Sequence, residues 1–414
     1  TDDHLFSLTY HFPVGSENDK RYEMAESYLS YVGTDKLSNE EINQRFYRLA
    51  CNYDISVDGN SIDITLTGLS SFMNDAVELL EQVLTQAKAD TSSYRKFVDL
   101  VLKNRADSKT NQRLNFSALQ AYGMYGSYNQ LLNDMSETEL RSADPQALLN
   151  LLSQLKNYKH TLLYYGPESL KNVNKLVSRV HVTPKTFTAI PAGKPYLHQP
   201  TTANEVWLAP YDAKNIYMTM YHCEDTKFSP SNASIEALFN EYFCSGMNAI
   251  VFQEIREARG LAYSAGASYV RPYTHPYKDS EYFATYVISQ NDKMMDCINE
   301  FNVLLNDMPQ REAGFKLAKQ TLLKSLASNR TTRENVLWSY LRAKQLGIDY
   351  DLNERIYREL SALTLDNLMD FARTHIKDKP FRYLILGDEK NLDVKSLEKI
   401  APVRKLTTTE IFGY

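Results

Sequence analysis

The chain repeats itself, and that duplication restricts its fold more than any compositional figure. "LFSLTYHF" (5–12) returns as "NIYMTMYHC" (215–223), setting His11 on His222. "CNYDISV" (51–57) returns as "LAYSAGA" (261–267), with Tyr53 on Tyr263. "NDAVELLEQVL" (74–84) matches "NDKMMDCINEF" (291–301), Asn74 on Asn291, and "LRSA" (140–143) matches "ELSA" (359–362). "HTLLYYGP" closes a strand at Gly166 as "FRYLILGD" does at Gly387. The offsets run 211, 210, 217, 219 and 221. Matches in constant order at a slowly growing offset indicate two homologous domains of about 200 residues, separated by small insertions. One insertion is "RPYTHPYK" (271–278), absent from the first copy.

Local patterns give each copy the same order of elements. "FSLTYHF", "IYMTMYH", "SIDITLTGL" and "EYFATYVIS" alternate as half-buried strands do. "FMNDAVELLEQVLTQA" and "KMMDCINEFNVLLNDM" carry apolar residues at helical spacing, with Asn-Asp or its neighbours expected to start each helix. Strand runs followed by helix runs predict an α+β fold: two tandem sandwich domains, each one sheet with helices on one face. The Pro-containing stretch 184–204 reads as the linker, dividing a first domain (1–183) from a second (205–414). "EVWLAPY" (205–211) gives the second domain an extra opening strand. Its partner falls before residue 1, so the expectation is that further chain lies upstream.

Bulk properties remove several function classes. A net charge of −5 on 414 residues argues against nucleic acid. No apolar run approaches bilayer length, so a soluble chain with no membrane span is expected; its compartment is undetermined. Cys51, Cys223, Cys244 and Cys297 form no CxxC pair, and two disulfides or four buried thiols both fit. The 29 tyrosines suit either a half-polar groove or ordinary strand composition.

Catalytic motifs are missing. The eight histidines (4, 11, 160, 181, 198, 222, 275 and 375) include no two standing three, four or five residues apart, as zinc-binding helices require. His11 and His222 fall at equivalent strand ends, which suggests packing. There is no GxSxG elbow, no flanked nucleophilic Cys and no phosphate-binding glycine pattern. Glu254 and Glu257 stand i, i+3 on an Arg-rich helix, where surface ion pairing accounts for them.

One stretch remains, "FQEIREARGLAYS" (252–264). Together with the duplication, it makes the chain resemble half of a pitrilysin/insulinase-type (M16) zinc peptidase. That family combines four such domains, as two halves of one polypeptide or as two subunits. The resemblance implies an inverted HxxEH zinc motif in the catalytic half, and in the other half an Arg and a Tyr spaced R-x-x-x-x-L-x-Y. Arg256, Leu261 and Tyr263 match the second pattern. The zinc motif should fall on the helix before "YVGT" (31–34), where the sequence has Met24-Ala25-Glu26-Ser27-Tyr28. Met24 and Tyr28 replace the histidines and Ser27 the carboxylate. Glu26 is one residue out of place, about 100° around a helix. The resemblance is therefore to the non-catalytic half: no activity from this chain alone, no metal in it, and zinc in a partner half.

Gly260 is placed to end the helix and reverse the chain. Arg256 and Tyr263 would then reach a common space and donate to peptide carbonyls and to the oxyanion formed in hydrolysis. Arg259 and His275 are accessory candidates, although Arg259 also complements the helix dipole and the 271–278 insertion also reads as a plain hairpin tip. The alternative is a non-proteolytic scaffold that retains the fold. In that case Arg256 pairs with a carboxylate and Tyr263 merely packs.

Overall fold

The computed structural model describes residues 4–414 and divides into two compact units. Unit one comprises residues up to Asp107, then Asn133–Tyr196 and Thr332–Trp338; unit two comprises Ser108–Leu132, Leu197–Thr331 and Ser339–Tyr414. The strands follow the two repeats, but 108–132 and 332–338 do not: each is encoded in one repeat and belongs to the other unit.

In unit one, β1 (Leu5–Phe12), β2 (Cys51–Val57), β3 (Ile62–Leu69) and β4 (Thr161–Tyr165) form an antiparallel sheet ordered β2-β3-β1-β4. Alternation in β1 sends Phe6, Leu8, Tyr10 and Phe12 to one face. There they meet α1 (Tyr22–Leu29), α2 (Asn39–Arg48), α3 (Met73–Gln86), α4 (Thr91–Ser108) and, later in the chain, α6 (Glu137–Ser142), α7 (Pro145–Gln154) and α8 (Leu170–Val180). Ser38 and Glu41 close a capping box on α2, satisfying amides that a helix start leaves open.

Unit two holds α5 (Gln112–Tyr125) and a mixed six-stranded sheet: β5 (Glu205–Pro210), β6 (Asn215–Cys223), β7 (Ser264–Val270), β8 (Tyr282–Gln290), β9 (Arg382–Gly387) and β10 (Val403–Lys405), ordered β10-β5-β9-β6-β8-β7. Its main core lies against α9 (Ala233–Phe239), α10 (Met294–Asn306), α11 (Glu312–Ser328), α13 (Leu352–Leu360), α14 (Leu365–His375) and α15 (Val394–Glu398), while α12 (Asn335–Gln345) starts in unit one and ends in unit two. The opposite face is covered too. Phe116 and Leu119 of α5, with Ile411 and Phe412 of α16 (Thr408–Phe412), pack on Trp207, Leu384 and Leu386. Helices on one face alone were expected here; a helix from the first repeat supplies the second layer.

The registers let the repeats be superposed strand by strand. β3 and β8 each run through one 3-10 turn, Ser70–Phe72 and Asn291–Lys293, into α3 and α10, so Met73 corresponds to Met294. Leu8 faces Leu66 and Met218 faces Val287, which makes Leu8 the counterpart of Met218. Three sequence pairings shift accordingly. Asn74 lies inside α3 while Asn291 opens the 3-10 turn, and neither α3 nor α10 has a side-chain cap. Tyr53 faces Leu66 and so matches Ala265, which faces Val287. His11 matches Tyr221, not His222, because a slip of one residue turns a strand side chain to the other face. His11 Nδ1 meets Asp63 at 2.6 Å across the strand pair, whereas His222 Nδ1 meets the Pro380 carbonyl at 2.7 Å.

Residues 184–204 contain no helix or strand. The linker is nevertheless held to unit one: Thr188 N–H donates to the Asn157 carbonyl (2.8 Å), Asn18 to the Pro191 carbonyl (2.8 Å), and Tyr196 N–H to Glu17 (2.9 Å). All four cysteines are buried free thiols, which settles the disulfide alternative.

Candidate functional site

The corner that carries Arg256 and Tyr263 is wound differently from the expected α-helix. Phe252–Ala258 is a π-helix, a geometry concentrated at functional sites. Its exit is fixed by backbone bonds of Gly260 N–H to the Arg256 carbonyl (3.0 Å) and Leu261 N–H to the Ile255 carbonyl (2.9 Å). Gly260 takes φ +59 with open space where a Cβ would sit, so conformation and not crowding selects glycine. Ile255 is fully buried and anchors the segment in the unit-two core.

The end of β8 clamps the segment beyond Gly260. The Ile288 carbonyl accepts Tyr263 N–H at 2.9 Å, and the hydroxyl of fully buried Ser289 donates to the Leu261 carbonyl. Gln290 Nε2 donates to Tyr263 Oη at 3.4 Å. Tyr263 itself stands immediately before β7 and is 59% exposed. It borders a polar cleft of 710 Å³ together with Asp212, Lys214, Asn215, Gln290 and Asn291. Gln290 and Ser289 escaped the sequence reading, since a polar residue ending a strand gives no local signal.

Arg256 is half-exposed. Its guanidinium lies 5.0 Å from the centre of the Phe252 ring, and its Nε is 3.7 Å from Glu257, itself half-exposed. Such a loose surface pair contributes little, so the guanidinium is available. Arg256 does not line the Tyr263 cleft. Neither side chain is sealed in the core. Glu254, by contrast, is committed to Arg311.

The accessory candidates are engaged elsewhere. Arg259 Nε pairs with Glu300 of α10 at 2.9 Å. His275 has φ +50 and turns the 271–278 insertion, its carbonyl accepting Lys278 and Asp279 N–H (2.9 and 2.8 Å). That insertion is fastened to α12 and the residue after it: Arg342 donates to the Tyr273 carbonyl, and Tyr277 Oη to the Leu346 carbonyl.

At the zinc-motif positions the side chains do not fit a metal. Met24 and Tyr28 belong to the unit-one core, where Tyr28 packs edge-on to Tyr94 with ring centroids 5.1 Å apart. Ser27 donates to Glu26 at 3.0 Å, and burial raises the Glu26 carboxyl above its usual range. No group of three or more His, Cys, Asp or Glu side chains among the described residues is arranged to hold a metal ion. No described helix is long and apolar enough to cross a membrane.

Residues 161–322 match the family model described as peptidase M16 inactive domain. No curated protein matches the chain. Among solved structures, the peptidase M16 inactive domain from Pseudomonas fluorescens is 16% identical with a TM-score of 0.71, covering 94% of both chains. The periplasmic protease PqqL from Escherichia coli is 14% identical with a TM-score of 0.73, covering 94% of this chain and 43% of that one. A mutant of the ferredoxin protease FusC, solved in complex with Arabidopsis ferredoxin, is 10% identical with a TM-score of 0.72; the match covers 93% of this chain and 42% of that one. The chain thus spans less than half the length of either protease. Over residues 161–322 the chain is thus similar to the peptidase M16 inactive domain, and over nearly its whole length it shares the fold of these structures.

Proposed function

We propose that this chain is the substrate-binding half of an M16-type zinc endopeptidase and works with a catalytic half, in the same polypeptide or as a separate subunit. Arg256 and Tyr263 donate hydrogen bonds to peptide carbonyls and to the oxyanion, while zinc and the general base belong to the catalytic half. Exposure of the Tyr263 phenol at the mouth of a polar cleft carries this reading: a phenol kept for packing would be buried. The two proteases of similar fold, each more than twice this chain's length, support a half-and-half arrangement, and FusC bound to ferredoxin supports a polypeptide substrate.

The test is reconstitution with the catalytic half. Arg256→Ala or Tyr263→Phe should each lower peptide turnover by about 10²-fold or more, the scale of one lost oxyanion donor. Variants that cleave at the unaltered rate would leave this chain a scaffold.

A further inference from the structure

Below the start of β4 three ionisable side chains are linked end to end. His160 Nδ1 lies 2.6 Å from the Tyr158 carbonyl, and its Nε2 lies 2.8 Å from Nε2 of His181. His181 Nδ1 in turn lies 2.6 Å from Oε1 of Glu81. His181 caps the C-terminus of α8 and Glu81 sits on α3; the two are 5% and 6% exposed.

Counting hydrogens defines the charge state. A carbonyl only accepts, so His160 carries its hydrogen on Nδ1. Three links need three hydrogens, yet two neutral imidazoles and a carboxylate together hold two. With only two, the facing Nε2 atoms present lone pairs to each other at contact distance, and the buried trio keeps a net negative charge, which burial disfavours. A third hydrogen completes every link and makes the trio neutral.

We propose that the two histidines share one extra proton, balanced by Glu81, and that this proton latches the linker to unit one. His181 is the last residue before the segment that leads to the linker, and the Phe187 ring of the linker lies edge-on to His160 at 6.3 Å. The bonds from Asn157, Asn18 and Glu17 then run along 188–196. Deprotonation sets two acceptors against each other at the root of that attachment.

The described groups packed around the pair are neutral or turned away from it. From β1, Tyr10 packs at a tilt against His181 (4.3 Å) and Phe12 against His160 (4.6 Å); burial and then Glu81 hold the Tyr10 hydroxyl well above its usual range, hence neutral. From α8, Arg179 turns outward to Glu78. From α1, Tyr22 neighbours Tyr158 and is likewise raised, chiefly by burial. Burial, with His181 as a further cause, lowers His160 below the usual histidine range. His160 is thus the neutral acceptor of the pair.

These charges set the sign of the pH dependence. Where the native trio holds its third proton and the unfolded histidines have lost theirs, above about pH 6.5, the native state binds more protons; stability then falls as pH rises through the native titration. On the acid side the lowered His160 acts oppositely, because the unfolded chain takes a proton that the native His160 refuses.

The test uses the full chain, with nitrogen NMR of the imidazoles and hydrogen exchange of 181–196 from about pH 6 to about pH 9.5, corrected for intrinsic rates, across the usual histidine range. One Nε2-bound hydrogen shared by the pair is expected at neutral pH. Protection of the linker should fall about tenfold or more at the alkaline end, the scale of a local opening. His160→Gln, whose amide donates to His181 without an added proton, should abolish that fall. If it does not fold, Glu81→Gln serves instead: without its counter-charge the proton should leave, and protection drop, at lower pH. Both Nε2 atoms unprotonated at neutral pH, or a folded variant with the wild-type pH profile, would overturn the latch.

Discussion

β9 is buried along its whole length, whereas its counterpart β4 leaves Thr161 and Leu162 exposed and the Tyr164 and Tyr165 rings half-covered. Both strands pair antiparallel with an equivalent inner strand, β6 or β1. They differ in neighbours. β9 has β5 alongside, parallel and in register from Glu205 to Pro210, and a second helix layer over Leu384 and Leu386. Among the described residues β4 ends its sheet. A duplicated strand therefore inherits its pairing from the repeat, while its burial depends on what is laid against it.

A pair of truncations breaks or sharpens that contrast. Leu384→Ala removes a fully buried side chain and should cost about 2–5 kcal/mol in urea unfolding. Leu162→Ala at the open edge, where Leu162 is 36% exposed, should cost less than about 1 kcal/mol. Equal losses would mean that β4 is covered after all.

At the opposite edge of the six-stranded sheet a side chain takes the place of a neighbouring strand. Asn240 bonds both the N–H and the carbonyl of Tyr269 (2.8 and 2.9 Å), so its amide stands in for a further strand and blunts β7. Asn240→Leu leaves two polar groups without partners and should cost about 1–3 kcal/mol in the same assay. Retained stability would show that water replaces the amide.

The first helix of each repeat carries an acid drawn out of water, half-buried Glu26 on α1 and fully buried Glu236 on α9. Burial raises both carboxyls, and Glu236 is raised further by Glu281, an effect that Arg271 at 3.3 Å offsets in part. The native protein therefore keeps a proton on Glu236 that the unfolded chain loses near about pH 4.3, so stability falls as pH rises from there. Glu236→Gln should flatten that slope, measured as unfolding free energy against pH, by up to about 1.4 kcal/mol per pH unit. Glu26→Gln should flatten it less, and the reverse order would contradict the contrast in burial.

Alternation made β1, β3, β6 and β8 legible in the sequence, since a face packed on the core imposes a period of two on the order of apolar residues. Letter identity was a poorer guide to register. Matching His11 to His222 and Asn74 to Asn291 rewarded like residues, whereas the real correspondence is held by strand pairing and by a 3-10 turn with no residue signature. The exchange of 108–132 and 332–338 was not legible, because an apolar helix face does not say which sheet it will meet. Arg256 and Tyr263 were singled out by the resemblance, and both are accessible. The π-winding of 252–258 and the clamp from Ser289 and Gln290 depend on contacts between distant stretches, which spacing does not encode.

That clamp gives the finest comparison between the repeats. Pairing makes Cys51 the counterpart of Tyr263 and Leu69 that of Gln290, so one corner is apolar where the other is polar. In the second repeat the Gln290 amide occupies a lone pair of the phenol oxygen, which leaves the phenol hydrogen to donate outward. Gln290→Leu recreates the first repeat's chemistry without touching the backbone clamp from Ile288 and Ser289. It should lower turnover of the reconstituted peptidase about two- to fivefold, the scale of one neutral hydrogen bond between exposed groups. In a Tyr263→Phe background the same change should have no further effect, because the hydroxyl it orients is gone. Equal losses in both backgrounds would make Gln290 a lining residue of the cleft that acts independently of the phenol.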